Sequence, residues 1–183
     1  MRTRVKICGI TRVEDGLAAI SAGTDAIGFV FWQQSPRNIL PHQARSITRK
    51  IPAFVTTVGV YVNPSADWVR ETSTIANLGL LQFHGDEAPE FCDQFALPYI
   101  KALRIKEGVD LLEYAKRYQN AKALLLDTYS ANMPGGTGEV FDHDSIIVSL
   151  SSSVDSGPHQ HKPGYRRYFV PYDAKNHWLE IQI

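Results

Sequence analysis

Three side chains that could take part in chemistry stand at the ends of short apolar runs in this 183-residue chain. Cys8 and Asp127 each end such a run, and His84 directly follows another. A thiol, an imidazole and a carboxyl group can each move protons, and a thiolate is also a nucleophile. Each also has a structural alternative, because a lone cysteine is often a small buried hydrophobe and an acid at a strand end often caps the next element. We interpret Cys8 as catalytic and ask which elements would position it.

Short apolar runs alternate with amphipathic ones over residues 4–127, which predicts strands alternating with helices. The predicted strands are Arg4–Cys8, Ala26–Phe31, Thr57–Val62, Leu80–Phe83, Tyr99–Leu103 and Ala123–Asp127. The predicted helices are Val13–Ala22, Pro41–Lys50, Ala66–Ala76, Glu87–Phe95 and Val109–Tyr118. Strands that are apolar throughout are typical of a parallel sheet that is covered on both faces.

Two architectures fit this alternation: an open, doubly wound sheet and an eightfold β/α barrel. A doubly wound nucleotide-binding protein should carry the pattern G-x-G-x-x-G after its first strand, but Gly9 stands there without the further glycines. Barrel enzymes instead build their active sites from side chains at the carboxyl ends of several strands, where Cys8, His84 and Asp127 stand. The sequence therefore predicts an α/β fold of the eightfold, TIM-barrel type.

The composition excludes several classes of function. Nineteen Lys and Arg residues balance nineteen Asp and Glu residues, so no basic excess indicates nucleic-acid binding. No apolar stretch is long enough to cross a bilayer, and the first residues do not form a secretory signal, so a cytoplasmic protein is expected. The two cysteines, Cys8 and Cys92, lie far apart, and the histidines lack paired ligand spacing. Neither a disulfide nor a metal site is predicted, and Cys92 is expected in the core.

The last part of the chain breaks the alternating pattern. Six β/α units are recognisable in residues 1–147, with a sixth helix predicted at Phe141–Ile147, whereas residues 148–183 form a divergent tail rich in turn-forming residues. The last two units of an eightfold barrel are therefore altered or missing. Six strands cannot close such a barrel, so the first and sixth strands would have open edges. The tail or another chain could cover those edges, or the protein could fold poorly.

Several strings in this sequence resemble those of the phosphoribosylanthranilate isomerase family, enzymes of tryptophan biosynthesis that perform an Amadori rearrangement. The resemblance spans residues 2 to 146, about four-fifths of the chain. Its two most specific strings are K-I-C-G-I-T at Lys6–Thr11 and Q-F-H-G-D-E at Gln82–Glu87. The other matching strings are Gly28–Phe31, Ser35–Arg37, Val58–Val60 with Asn63, Lys101–Ala102, and Leu126–Asp127 with Gly135–Gly138.

This resemblance implies a reaction and the roles of two residues in it. The reaction converts N-(5'-phosphoribosyl)anthranilate to 1-(2-carboxyphenylamino)-1-deoxyribulose 5-phosphate, and it needs no metal and no cofactor. Cys8 would be the general base and Asp127 the general acid. A thiol acts as a base only when its pKa, about 8.5 in free cysteine, lies near or below the ambient pH. Lys6, two residues before Cys8 and on the same face of the strand, could supply the positive charge that favours a thiolate.

Substrate-binding residues are also implied by the resemblance. The guanidinium group of Arg37 would suit the anthranilate carboxylate, although a solvated surface arginine is the alternative. His84 and Gln82 could position the substrate, or could be structural. Gly136 could let the backbone approach the ligand, as glycine-rich loops do. The expected partner is therefore a small phosphorylated substrate, with no nucleic acid and no membrane, and the protein is expected to be a monomer or a homodimer.

The tail departs from what the family would show. A glycine pair after the seventh strand and a Ser-Gly loop after the eighth are expected where such barrels bind a substrate phosphate, and neither is present. Activity is therefore expected to be impaired. One hypothesis is a frameshift, because permitted codons for Pro158–Phe169 read one nucleotide later encode a peptide resembling the family's seventh loop and helix. Two other functions stay open at this point: a non-catalytic barrel acting as an interaction protein, and another phosphosugar enzyme.

Overall fold

A computed structural model describes residues 4–105, 111–128, 167–171 and 178–182 of the protein. The chain divides into two compact units, Met1–Ile100 and Lys101–Ile183. The strands are β1 (Lys6–Cys8), β2 (Ala26–Val30), β3 (Thr56–Tyr61), β4 (Leu80–Phe83), β5 (Tyr99–Ile105), β6 (Ala123–Thr128), β7 (Arg167–Pro171) and β8 (Trp178–Gln182). The helices are α1 (Val13–Ser21), α2 (Pro41–Thr48), α3 (Ala66–Ala76), α4 (Pro89–Asp93) and α5 (Leu111–Arg117).

The first unit is built on a parallel sheet in which β1, β2, β3 and β4 are neighbours in chain order. Each strand is followed by a helix that returns the chain to the start of the next strand. A doubly wound sheet would reverse its direction of growth at a switch point, and this unit contains no such reversal within its four strands. The strand order therefore follows the barrel pattern.

The strand register assigns side chains to the two faces of this sheet. Cys8, Gly28, Val58 and Leu80 are register partners, so they point to one face, which we call the Cys8 face. The opposite face carries Tyr61, whose ring stacks on Phe31 with centroids 5.6 Å apart and whose hydroxyl bonds to Thr72 of α3. The helices of this unit therefore pack on the Tyr61 side, where a cluster of aromatic rings forms much of the core.

Local sequence signals explain where the helices begin. Ser65 caps α3, because its hydroxyl accepts a hydrogen bond from the backbone N–H of Trp68 at 3.2 Å. The same helix ends at Ala76, and Asn77, which caps it, has a left-handed φ of 54°. Proline supplies the first residue of α2, at Pro41, since its ring already has a helical φ. The structure thus confirms α3 with the bounds predicted from the sequence.

Helix α4 corrects the prediction of a longer helix over Glu87–Phe95. The helix spans only Pro89–Asp93. It begins later because Ala88 precedes a proline and is extended, with ψ of 156°. Pro89 then starts the helix two residues later.

The second unit contains α5, β6 and the two strands formed by the described parts of the tail. Strand β8 pairs with β6 in parallel, with Leu124 opposite Leu179, and with β7 in an antiparallel ladder. The tail therefore covers the edge of the sixth strand, which is one of the three outcomes expected from the sequence. Among the described residues, β1 pairs with β2 alone. The predicted boundary at residue 147 and the predicted helix Phe141–Ile147 lie outside the described residues.

Candidate active site

Cys8 is the last residue of β1, and the backbone around it turns sharply. Gly9 has φ of 84°, which is left-handed and favours glycine. The backbone N–H groups of Gly9 and Ile10 both donate to the carbonyl of Gly28, at 2.9 and 3.0 Å. A Cβ at Gly28 would lie 2.9 Å from the sulfur of Cys8, so the thiol occupies space that exists only because residue 28 has no side chain. Cys8 is partly exposed, as a reacting thiol must be.

Arg37 lies over the same strand end. Its Nη1 donates to the carbonyl oxygen of Cys8 at 3.2 Å, and its backbone N–H bonds to the hydroxyl of Ser35. Its side chain passes so close to Gly9 that a Cβ there would overlap Arg37 Cδ. The structure thus places the predicted carboxylate-binding residue beside the predicted base, and Gly9 is needed both for the turn and for this approach.

Gln82 and His84 stand at the end of β4 and touch each other. Gln82 is 1% exposed, and its Nε2 lies 2.8 Å from Nδ1 of His84. The backbone N–H of His84 donates to the carbonyl of Tyr61, the last residue of β3, at 2.8 Å, which continues the ladder beyond the end of β4. Gln82 lies two residues after Leu80 and therefore shares the Cys8 face. Because β1 and β4 run in the same direction in the sheet, Cys8 and His84 both lie at the carboxyl ends of the strands.

The side chain of Lys6 lies on the Cys8 face, two residues before the end of β1. It is 5% exposed, and its Nζ has no hydrogen-bond partner among the described residues. A buried ammonium group without an acceptor is costly. Its contact with substrate stays a prediction.

The loops after β3 and β4 are joined by a residue that the sequence analysis did not assign. Glu87 is buried, and its carboxylate accepts bonds from Asn63 N at 2.8 Å and from Gly85 N at 2.9 and 3.1 Å. Asn63 in turn accepts a bond from Asp86 N at 2.7 Å. Both residues belong to strings that carry the family resemblance. The available signal was an acidic residue two positions after Gly85, but its partner in a different loop could not be read from the sequence.

The remaining predicted residues lie in the second unit. Asp127 is the last residue but one of β6 and is 7% exposed, so its carboxyl group stands near the carboxyl end of a buried strand, as predicted. Gly136 lies outside the described residues. That Asp127 acts on the same substrate as Cys8 stays a prediction. Cys92 is buried in α4, which confirms its assignment to the core.

Two further observations bear on the class of protein. Within the described ranges, no group of three or more His, Cys, Asp and Glu residues is arranged to hold a metal ion. No helix in the described part of the chain is long and apolar enough to cross a membrane.

Comparison with known proteins identifies the family. The family model for N-(5'-phosphoribosyl)anthranilate isomerase matches residues 5–159. The isomerase of Nitrosospira multiformis is 61% identical over 150 residues, which cover 82% of this chain and 72% of that protein. This chain belongs to the N-(5'-phosphoribosyl)anthranilate isomerase family. The resemblance inferred from the sequence strings is therefore confirmed, and so is the assignment as an isomerase of tryptophan biosynthesis.

Solved structures of the isomerase family agree with the fold. The Thermotoga maritima enzyme superimposes with a TM-score of 0.74 at 38% identity, over 82% of this chain and 73% of that one. A second isomerase structure, in complex with reduced 1-(o-carboxyphenylamino)-1-deoxyribulose 5-phosphate, gives a TM-score of 0.65 at 40% identity, over 70% and 66% of the two chains. The predicted β/α barrel class is therefore confirmed. The comparisons favour the enzyme over the non-catalytic interaction protein. Since the family match ends at residue 159, the departure of the tail stays a prediction.

Proposed function

We propose that this chain catalyses the Amadori rearrangement of N-(5'-phosphoribosyl)anthranilate with Cys8 as the general base and Asp127 as the general acid. The observation that carries the assignment is the placement of the Cys8 thiol. It stands partly exposed at a strand end, directly over Gly28 and beside Arg37, in a chain of the isomerase family. Arg37 would bind the anthranilate carboxylate through its guanidinium group.

The proposed steps balance without an added reagent. Asp127 gives a proton to the ring oxygen of the ribose as the bond from that oxygen to C1' breaks. The electron pair of the anthranilate nitrogen forms a Schiff base with C1'. The thiolate of Cys8 then takes the proton from C2', which gives an enolamine. The proton on Cys8 then passes to C1', and the proton of the C2' hydroxyl returns to Asp127. The product is the ketone and both residues regain their starting states, so the overall reaction is an isomerisation.

Replacing the two cysteines separately tests the role of Cys8. Cys8→Ala should lower kcat/KM for phosphoribosylanthranilate by about 10²–10⁴-fold, the usual contribution of a positioned acid or base, and Asp127→Asn should do the same. The decay of substrate fluorescence measures both variants. Cys92→Ala is the matched control, because it also removes a thiol but from the core, away from the strand ends. Equal activity in Cys8→Ala and the unaltered protein would refute the assignment.

Growth provides an independent test. A bacterial tryptophan auxotroph that lacks this isomerase should grow without tryptophan when it expresses the chain, and should fail to grow with the Cys8→Ala variant. The role in amino-acid biosynthesis supports a cytoplasmic location, which cell fractionation would test. Sedimentation would distinguish a monomer from a homodimer.

A further inference from the structure

Gln82 is a polar side chain buried completely within a strand of apolar residues. One end of its amide contacts Nδ1 of His84 through Nε2 at 2.8 Å. The other end, Oε1, has no hydrogen-bond partner among the described residues. A fully buried amide with one unmade bond is costly to fold, so its presence next to His84 calls for a reason beyond packing.

The hydrogen bond between the Gln82 amide and Nδ1 of His84 determines where the imidazole ring carries its proton. An amide NH2 group donates hydrogen bonds and does not accept them. Nδ1 of His84 must therefore accept, which requires a lone pair on that nitrogen. A neutral ring that accepts at Nδ1 carries its proton on Nε2, whereas an imidazolium has protons on both nitrogens and can accept at neither.

The opposite orientation of the amide would place Oε1 on an Nδ1–H group, so the orientation itself needs support. Lys6 and Gln82 share the Cys8 face of the sheet. Their Nζ and Oε1 atoms are the two buried side-chain atoms without partners in the described part of the chain. One is a cationic donor and the other an acceptor. Turning the amide round would leave an NH2 group unsatisfied on the face that already holds an unsatisfied cation.

We propose that Gln82 is a positioning residue that holds the neutral imidazole of His84 in the tautomer with the proton on Nε2. This inference rests on the proposed function for its role in catalysis. In that tautomer the donor of His84 is on Nε2, which suits the predicted role of His84 in positioning the substrate.

Nuclear magnetic resonance measures the tautomer directly. The protein is labelled with ¹⁵N-histidine and studied at an alkaline pH of about 8.5. The chain has six histidines, so the His84 signals are assigned by their loss in His84→Asn. The expected result is a protonated Nε2 and an unprotonated Nδ1. A protonated Nδ1 in the unaltered protein would overturn the proposal, and this measurement needs no substitution at Gln82.

The variant Gln82→Glu reverses the polarity of the contact with almost no change in shape. A carboxylate only accepts, so it should move the proton of His84 to Nδ1. It should also lower kcat/KM by at least about 10-fold, with the loss mainly in KM, because a lost hydrogen bond to substrate weakens binding. Gln43→Glu is the matched control, since Gln43 is exposed and its side chain already acts as an acceptor, for the N–H of Leu40. An unchanged tautomer in folded Gln82→Glu would overturn the proposal.

The two proposals fail in different ways. If Cys8→Ala keeps full activity, the proposed catalytic roles are wrong, but the tautomer measurement still decides the role of Gln82. If Cys8→Ala is inactive and His84 carries its proton on Nδ1, the catalytic roles stand and the role of Gln82 is wrong.

Discussion

At the scale of single residues, the site depends on absent side chains as much as on reactive ones. The Cys8 thiol rests where a Cβ of residue 28 would lie, and Arg37 crosses where a Cβ of residue 9 would lie. Both glycines therefore have a packing role that their position in apolar or turn sequences does not reveal. Replacing either glycine would therefore displace the Cys8 thiol or the Arg37 side chain without removing it.

Gly28→Ala should displace the thiol without removing it. The added Cβ would lie 2.9 Å from Sγ and 3.3 Å from Cα of Cys8, so either the side chain or the strand must shift. We expect kcat/KM to fall by about 100-fold, since a misplacement near 1 Å has effects of this size. Gly79→Ala is the control, because a Cβ there meets its neighbours only at 3.9 Å or beyond. Comparable activity in both variants would contradict the packing argument.

Tyr61 should make stability depend on alkaline pH. Burial raises the pKa of Tyr61 far above its ordinary value of 10.0. Its hydroxyl donates to Thr72, because the Thr72 hydroxyl already donates to the carbonyl of Trp68 at 2.7 Å. Above pH 10 the unfolded state loses the Tyr61 proton while the folded state keeps it. The contribution of Tyr61 to the free energy of unfolding is therefore complete below pH 10. Above pH 10 that contribution falls by about 1.4 kcal/mol for each pH unit.

The variant Tyr61→Phe isolates this effect. At about pH 8 it should be less stable than the unaltered protein by about 1 kcal/mol, the usual contribution of one hydrogen bond. The difference should shrink and then reverse at pH 11 and above, because phenylalanine does not ionise. Urea unfolding at several pH values measures it, and a difference that is independent of pH would show that the raised pKa is wrong.

At the scale of elements, the loops after β3 and β4 are held together by the carboxylate of Glu87. This residue fixes the backbone directly after His84 through Gly85, and it reaches Asn63 in the neighbouring loop. Asn63 has φ of 46°, and a Cβ at Gly85 would overlap its side chain. The position of His84 therefore depends on a contact between loops as well as on its strand.

Glu87→Ala should lower both stability and substrate affinity. Two backbone N–H groups would lose a charged acceptor, and bonds of this kind contribute about 1.5–3 kcal/mol each. We expect the free energy of unfolding to fall by about 3 kcal/mol, and KM to rise because the loop that carries His84 loosens. Glu90→Ala is the control, since Glu90 is exposed on α4. Equal unfolding midpoints in urea for the two variants would refute the role of Glu87.

At the scale of the whole molecule, most of the chain matches the isomerase family at high identity. The sequence of its tail differs from the pattern expected of that family. The relative from Nitrosospira multiformis is matched over 72% of its length. In the tail, β8 pairs with β6, so this segment takes part in the sheet of the second unit. Barrel enzymes of this type use their last two loops for the substrate phosphate. The glycine pair expected for the first of those loops does not occur after residue 147, and the one Ser-Gly dipeptide there is Ser156-Gly157.

Turnover should therefore be slower than in that relative. A phosphate that is held poorly contributes less binding energy to orient the reacting carbon atoms, so kcat as well as KM should suffer. We expect kcat/KM to be at least about 100-fold lower for this chain than for the Nitrosospira multiformis enzyme, assayed side by side by substrate fluorescence. Equal values would show that the tail binds the phosphate despite its sequence.

The sequence by itself determined the order of strands and helices over residues 4–127, the family, and the residues at the ends of those strands. These features are local, because periodicity, caps and short strings are readable over a few residues. The bounds of β4 and α3 were predicted correctly for this reason. Cys8 was placed at the end of β1 by the same kind of signal.

Only the tertiary structure decided which groups meet. The position of Arg37 over Gly9, the bond of Glu87 to Asn63 and the pairing of β8 with β6 each join residues at least two dozen positions apart. Nothing near Glu87 in the chain shows that its carboxylate binds the backbone N–H of Asn63. Such contacts depend on the register and spacing of packed elements, which local propensity does not specify.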